Sequence, residues 1–143
     1  MAATRITKAQ NPDDHVILPE VISKEPLVPL VRTGDDEWLH IVRWVIYALV
    51  DAEEKGVTSK NVDQMRATSQ NPDVRRLLGV EGGFGRMLGL NNDWAYKMIK
   101  TSGNYGEIFD RNLGKGSALR LERGMNALWT SNPPGLLYAP PMR

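Results

Sequence analysis

The sequence contains no cysteine and only two histidines. The first absence excludes disulfides, thiolate nucleophiles and thiolate metal sites, and leaves any metal centre almost entirely to carboxylates. The D-x-D-x-D-G calcium loop that would organise such carboxylates is missing. Also missing are G-x-S-x-G, G-x-x-x-x-G-K-[ST] and any serine arranged with a histidine and an acid, so neither an enzyme, a metal site nor a cofactor is expected. Charge of one sign is lacking too. The 18 Lys and Arg against 17 Asp and Glu give +1, and no basic run interleaves with aromatics as a nucleic-acid surface requires. The most apolar run, Trp38 to Val50, is too short to cross a bilayer and carries His40 and Arg43 inside it. The opening MAATRITKAQNPDDH has neither the apolar stretch nor the cleavage site of a secretory signal, so no export address is expected in the chain as it stands. These absences leave a soluble chain of 143 residues, enough for one domain with a modest core.

The residues present predict a mostly α chain with one small β element. Ala2 to Gln10 reads as a short helix, Asn11-Pro12-Asp13-Asp14 as a turn, and HVILPEVI, rich in β-branched residues, as a short strand. Pro19, Pro26 and Pro29 then punctuate the chain and make SKEPLVPLVR an extended edge or crossover segment rather than a central strand. The strongest element starts at Thr33-Gly34-Asp35-Asp36-Glu37, where Asp35 or Asp36 caps an acidic first turn, and runs to Gly56. Asp36, His40, Arg43, Tyr47, Asp51 and Glu54 form a narrow polar stripe on its otherwise apolar cylinder, so the helix must be covered nearly all round. Short helices follow: one capped by Thr58 or Ser59, one starting at Asn71-Pro72, one capped by Asn92 or Asp93, one over Tyr105 to Leu113, and a last over Leu121 to Trp129. The tail SNPPGLLYAPPMR is too rich in proline for regular structure and is expected to lie extended against the body through Leu136, Leu137 and Tyr138.

Few side chains suggest chemistry. Asp13-Asp14-His15 reads as a solvated turn rather than an acid/base group, and His40 as a partly buried, hydrogen-bonded residue of the polar stripe. The glycines of VEGGFGRMLG lack phosphate-loop spacing and read as positions of close packing. Trp94, Tyr96, Met98 and Ile99, at helical spacing, read as core.

The stretches ILPEVISKEPL, GDDEW, NDWAY, GNYGEIF and the LYAPPMR ending occur together, and with them nearly the whole chain resembles the C-terminal part of the general (polar) L-amino-acid-binding proteins of ABC importers. The resemblance implies a fragment of a two-lobed periplasmic-binding-protein fold that serves amino-acid transport. Residues 1–32 would be a remnant of the second lobe with the crossover strand, and residues 33–143 the family's C-terminal helical region. It further implies an L-amino acid as family ligand, a membrane permease as partner, and a periplasmic site of action. The main positions by which the family grips its ligand would lie largely upstream of this chain. No ligand-binding residue is therefore assigned, and the chain is expected to lack a complete ligand site. A stand-alone helical interaction module is the rival reading. With the lobe against which the long helix packs absent, the chain is expected to form a homo-oligomer that buries Trp38, Ile41, Val45 and Leu49.

Overall fold

A computed structural model describes residues 6, 8–16, 18, 20, 23 and 26–142. The helix expected over Ala2 to Gln10 and the strand expected over HVILPEVI lie largely outside them. His15, Val16, Leu18 and Glu20, which are described, carry no strand. Pro12–Asp14 is a single 3-10 turn, and 26–31 has no regular structure.

The long helix, α1, spans Asp36–Glu54. Its start is fixed by Asp35, whose carboxylate accepts from the Trp38 amide at 3.1 Å, and by the acidic pair Asp36 and Glu37 beside the positive end of the helix dipole. Its end is fixed by Gly56 at φ 66°. The Gly56 amide donates to the Glu53 carbonyl at 3.0 Å and the Val57 amide to that of Ala52 at 2.8 Å, a Schellman closure that drops Val57 into the core.

Four short helices and one single turn follow: α2 (Val62–Thr68), α3 (Pro72–Leu77), the turn α4 (Phe84–Met87), α5 (Trp94–Ser102) and α6 (Tyr105–Asn112). Asn71 caps α3 ahead of Pro72, as expected. Asn104 and Glu107 form a reciprocal capping box on α6: the Asn104 side chain accepts from the Glu107 amide and the Glu107 carboxylate from the Asn104 amide, each at 2.9 Å. The same box reaches across the fold. Ser59 donates to both Glu107 oxygens, and the Asn104 side-chain amide donates to the Val57 carbonyl at 2.9 Å.

The C-terminal half of α1 is the hub, packed by α3, α5 and α6. Ala48 and Ala52 meet Val57, Val62, Val74, Leu77, Leu78, Ala95 and Ile99, with Trp44, Phe84, Trp94, Tyr96 and Met98 around them. The reading of Trp94 to Ile99 as core holds. Full burial of Leu77, Leu78 and Ile99 contributes about 1.5–3 kcal/mol each. Gly79 shows how close the short helices approach. At φ 70°, a Cβ built on it would lie 2.0 Å from the Asn92 carbonyl oxygen.

The last helix expected, Leu121 to Trp129, does not form. Only Gly124–Asn126 makes a 3-10 turn, with Gly124 at φ 49° and Arg120 at φ 47°. The backbone of this segment pairs instead with the tail. Trp129 donates to the Leu137 carbonyl, Leu137 to that of Ala127, Gly135 to that of Leu128, and Leu136 to that of Met125. The result is a closed surface loop with a parallel bridge between Leu128 and Leu137. Alternation along the paired stretches turns Leu128, Leu137 and Ala139 inward onto Val50, Tyr47 and Tyr105. Met142 is buried in the main core, and its carbonyl accepts from the Arg76 Nε at 3.2 Å. The tail therefore lies against the body as expected, but through Leu137, Ala139 and Met142; Leu136 and Tyr138 are 73 % and 62 % exposed.

Candidate functional site

Burial along α1 is uneven. Beyond Trp44 the helix sinks into the fold, and even Asp51 of the expected polar stripe is covered. Burial pushes the Asp51 carboxyl up, against the opposing pull of its hydrogen bond and ion pair with Lys55. Tyr47 is half-buried under the tail, while Asp36, His40 and Arg43 stay exposed. The stripe thus faces solvent at Asp36, His40 and Arg43 and again at Glu54, while the tail covers Tyr47 and burial takes in Asp51.

Trp38, Ile41, Val45 and Leu49 recur at spacings of three and four and so share one side of α1. Trp38 is 52 % exposed, the other three are partly exposed, and none of them belongs to either core cluster. Beside Ile41 a recess of about 280 Å³ is lined by Glu37, His40, Met87, Leu88 and Gly89. Met87, 81 % exposed, is a member of this surface that helical spacing within α1 could not supply. Ahead of α1, Leu27, Val28 and Leu30 are almost fully exposed. The start of α1 thus carries exposed apolar side chains among the exposed charges of Arg32, Asp35, Asp36 and Glu37.

Asp13, Asp14 and His15 are exposed, and His15 Nδ1 donates to the Asn11 carbonyl at 2.9 Å. His40 is exposed rather than partly buried, a correction that follows from its place in the uncovered half of α1. Among the described residues no three His, Asp or Glu side chains gather as a metal site, and no helix is long and apolar enough to cross a membrane.

The described residues form a helical body on which the candidate groups Asp13, Asp14, His15 and His40 stay exposed, and its relatives say what the chain is similar to. The chain is a homologue of the amino-acid-binding periplasmic proteins of ABC transporters. It is 59 % identical over 136 residues to the general L-amino acid-binding periplasmic protein AapJ of Rhizobium johnstonii. It is 54 % identical over 143 residues to the glutamate/glutamine/aspartate/asparagine-binding protein BztA of Rhodobacter capsulatus. Among solved structures, an ABC transporter periplasmic binding protein from Brucella ovis, with glutathione bound, superposes with a TM-score of 0.92 at 52 % identity. These matches cover 94 %, 100 % and 99 % of the chain, which spans only 39 %, 41 % and 44 % of the respective relatives. No family model matches the chain. By their names these relatives are binding proteins rather than enzymes, and AapJ and the Brucella ovis protein are periplasmic.

Proposed function

We propose that this chain is the C-terminal portion of an amino-acid-binding component of an ABC importer, and that by itself it offers no complete amino-acid site. Residues 1–32 correspond to a remnant of the second lobe and the return towards the first, and residues 33–143 to the C-terminal helical region. The observation that carries this reading is identity above 50 % along the chain's whole length against a span of about two fifths of each relative. Its physical support is the lining of the open end. The recesses there are wide, and the one at the start of α1 is lined by Arg32, Asp35, Asp36 and Glu37 without apolar walls to enclose a side chain. In the assembled transporter the partners of this protein are an L-amino acid, the remainder of the binding protein and the membrane permease, and its place is the periplasm.

The chain alone self-associates, and Trp38, Ile41, Val45 and Leu49 form the surface it buries. Two measurements test these statements. Titration calorimetry against L-glutamate, L-glutamine, L-aspartate, L-asparagine and glutathione yields no saturable heat; saturable binding of any of them overturns the incomplete site. Light scattering on a size-exclusion column gives a defined oligomer indifferent to these ligands. A monomer at tens of micromolar removes the self-association.

A further inference from the structure

The methionines fall into two groups. Met142 is buried in the main core, and Met65 and Met98 are partly buried against it. Met87 and Met125 stand out, 81 % and 60 % exposed. With no cysteine in the chain, these two thioethers are the groups that a mild two-electron oxidant converts first, and the conversion is reversible. Their places differ. Met87 ends the turn α4 and lines two hollows: the recess beside Ile41, shared with Glu37 and His40, and one of about 80 Å³ shared with Phe84 and Met142. Met125 lines neither. It lies on the tail loop, where its carbonyl accepts from the Leu136 amide, and that loop packs on Tyr47 and Val50 in the second half of α1.

We propose that Met87 is an oxidation switch on the α1 surface, and that its oxidant is hydrogen peroxide. The sulfur lone pair attacks one peroxide oxygen, the O–O bond breaks, an S–O bond forms, and the second oxygen leaves as water. Sulfur loses two electrons and the peroxide gains them. Two thiols reverse the step and leave as a disulfide and water, a reaction that methionine sulfoxide reductases catalyse. The sulfoxide makes a flexible apolar side chain polar. Its oxygen accepts hydrogen bonds and donates none, so an apolar partner laid over it leaves that oxygen unsatisfied and the contact weakens. Oxidation thus closes the surface around Ile41 and Met87 to apolar partners, a second copy of the chain among them. The effect on a second copy rests on the self-association proposed above; the oxidation itself and the loss of apolar surface do not.

The test uses graded hydrogen peroxide on the intact protein in dilute solution, with peptide mass mapping. One added oxygen is expected at Met87 and Met125 at least about tenfold faster than at Met98 and Met142. Two variants then separate the exposed sites, and both replace methionine by a residue of similar volume, so the fold is kept. In Met125→Leu, oxidation should at least halve the fluorescence of the apolar-surface dye anilinonaphthalene sulfonate, and reductase with a thiol should restore it. In Met87→Leu the same treatment should leave the dye signal unchanged. Oxidation of Met87 no faster than of Met98 overturns the proposal. So does a dye signal unmoved by full oxidation of Met87, or a loss that persists in Met87→Leu. Light scattering tests the second copy separately: an oligomer that dissociates on oxidation of Met125→Leu but not of Met87→Leu supports both readings. A parent that is monomeric before oxidation removes the self-association alone, and the dye still decides the switch.

Discussion

The Ser59 hydroxyl donates to one oxygen of Glu107 at 2.6 Å while the Ser59 amide donates to the other at 3.0 Å, across 48 positions of sequence. This one carboxylate therefore caps α6 and also ties that helix to the loop between α1 and α2. Glu107→Ala is expected to cost about 2–4 kcal/mol, and Ser59→Ala about 1 kcal/mol, in urea unfolding.

Glu107 and Asp51 respond to pH with opposite sign. Burial pushes the Glu107 carboxyl up, but the bonds from Ser59 and the Asn104 amide outweigh it and hold the group below its ordinary value. Its contribution is present above the unfolded value and is lost as the pH falls through the folded one. The folded value of Asp51 is raised, so its contribution is present at low pH and is lost as the pH rises through that value. Unfolding free energies measured from pH 3 to 7 should show Glu107→Gln losing more, relative to the parent, at the upper end. Asp51→Asn should gain on the parent over the same range. The reverse order in either pair would refute the assignment.

Two glycines with similar backbone angles should respond differently to alanine. Gly56 at φ 66° has open space where a Cβ would go, so Gly56→Ala costs only the backbone strain, about 1–2 kcal/mol. At Gly79 the added atom would also strike the Asn92 carbonyl, and melting should place Gly79→Ala well below Gly56→Ala.

Arg123 holds the loop to the body. Its guanidinium pairs with both Glu53 oxygens, at 2.9 and 3.1 Å, donates to the Asn126 carbonyl, and stands over the rings of Tyr105 and Phe109. A lysine cannot span both oxygens. Arg123→Lys should therefore speed proteolytic cleavage within 120–137 while lowering the main melting transition only slightly. Unchanged cleavage would show that the apolar cluster of Val50, Leu128 and Ala139 suffices.

Substituting Val45→Lys places a charge in the middle of the open α1 stripe. It is expected to give a monomer by light scattering with the helical circular dichroism of the parent.

What sequence reasoning recovered was local. The cap at Asp35, the stop at Gly56, the Asn71-Pro72 start and the Tyr105 helix each depend on a few adjacent residues, and the structure keeps them. The open side of α1 was likewise visible in the spacing of Trp38, Ile41, Val45 and Leu49. Leu121 to Trp129 was misread because its helical pattern competes with pairing to 135–137, and no local signal announces that pairing. The same non-local loop covers Tyr47, so that part of the polar stripe was misplaced with it. Met87 joined the open surface only through the packing of α4 beside α1.

The uneven burial of α1 also has a mechanical meaning. The helix is about 28 Å long, packed into the core over its second half and only partly covered, at Leu39, Ile41 and Val42, over the first two turns, so it is a rod held more firmly at one end. Whatever seats on Trp38 and Ile41 pushes on the free tip, and the torque is borne at the root, where Trp44 meets Phe84 at 4.4 Å and Ala48 meets the core. The two ends of this protein thus share one rigid element, and its root is where the core would meet any load placed on the tip.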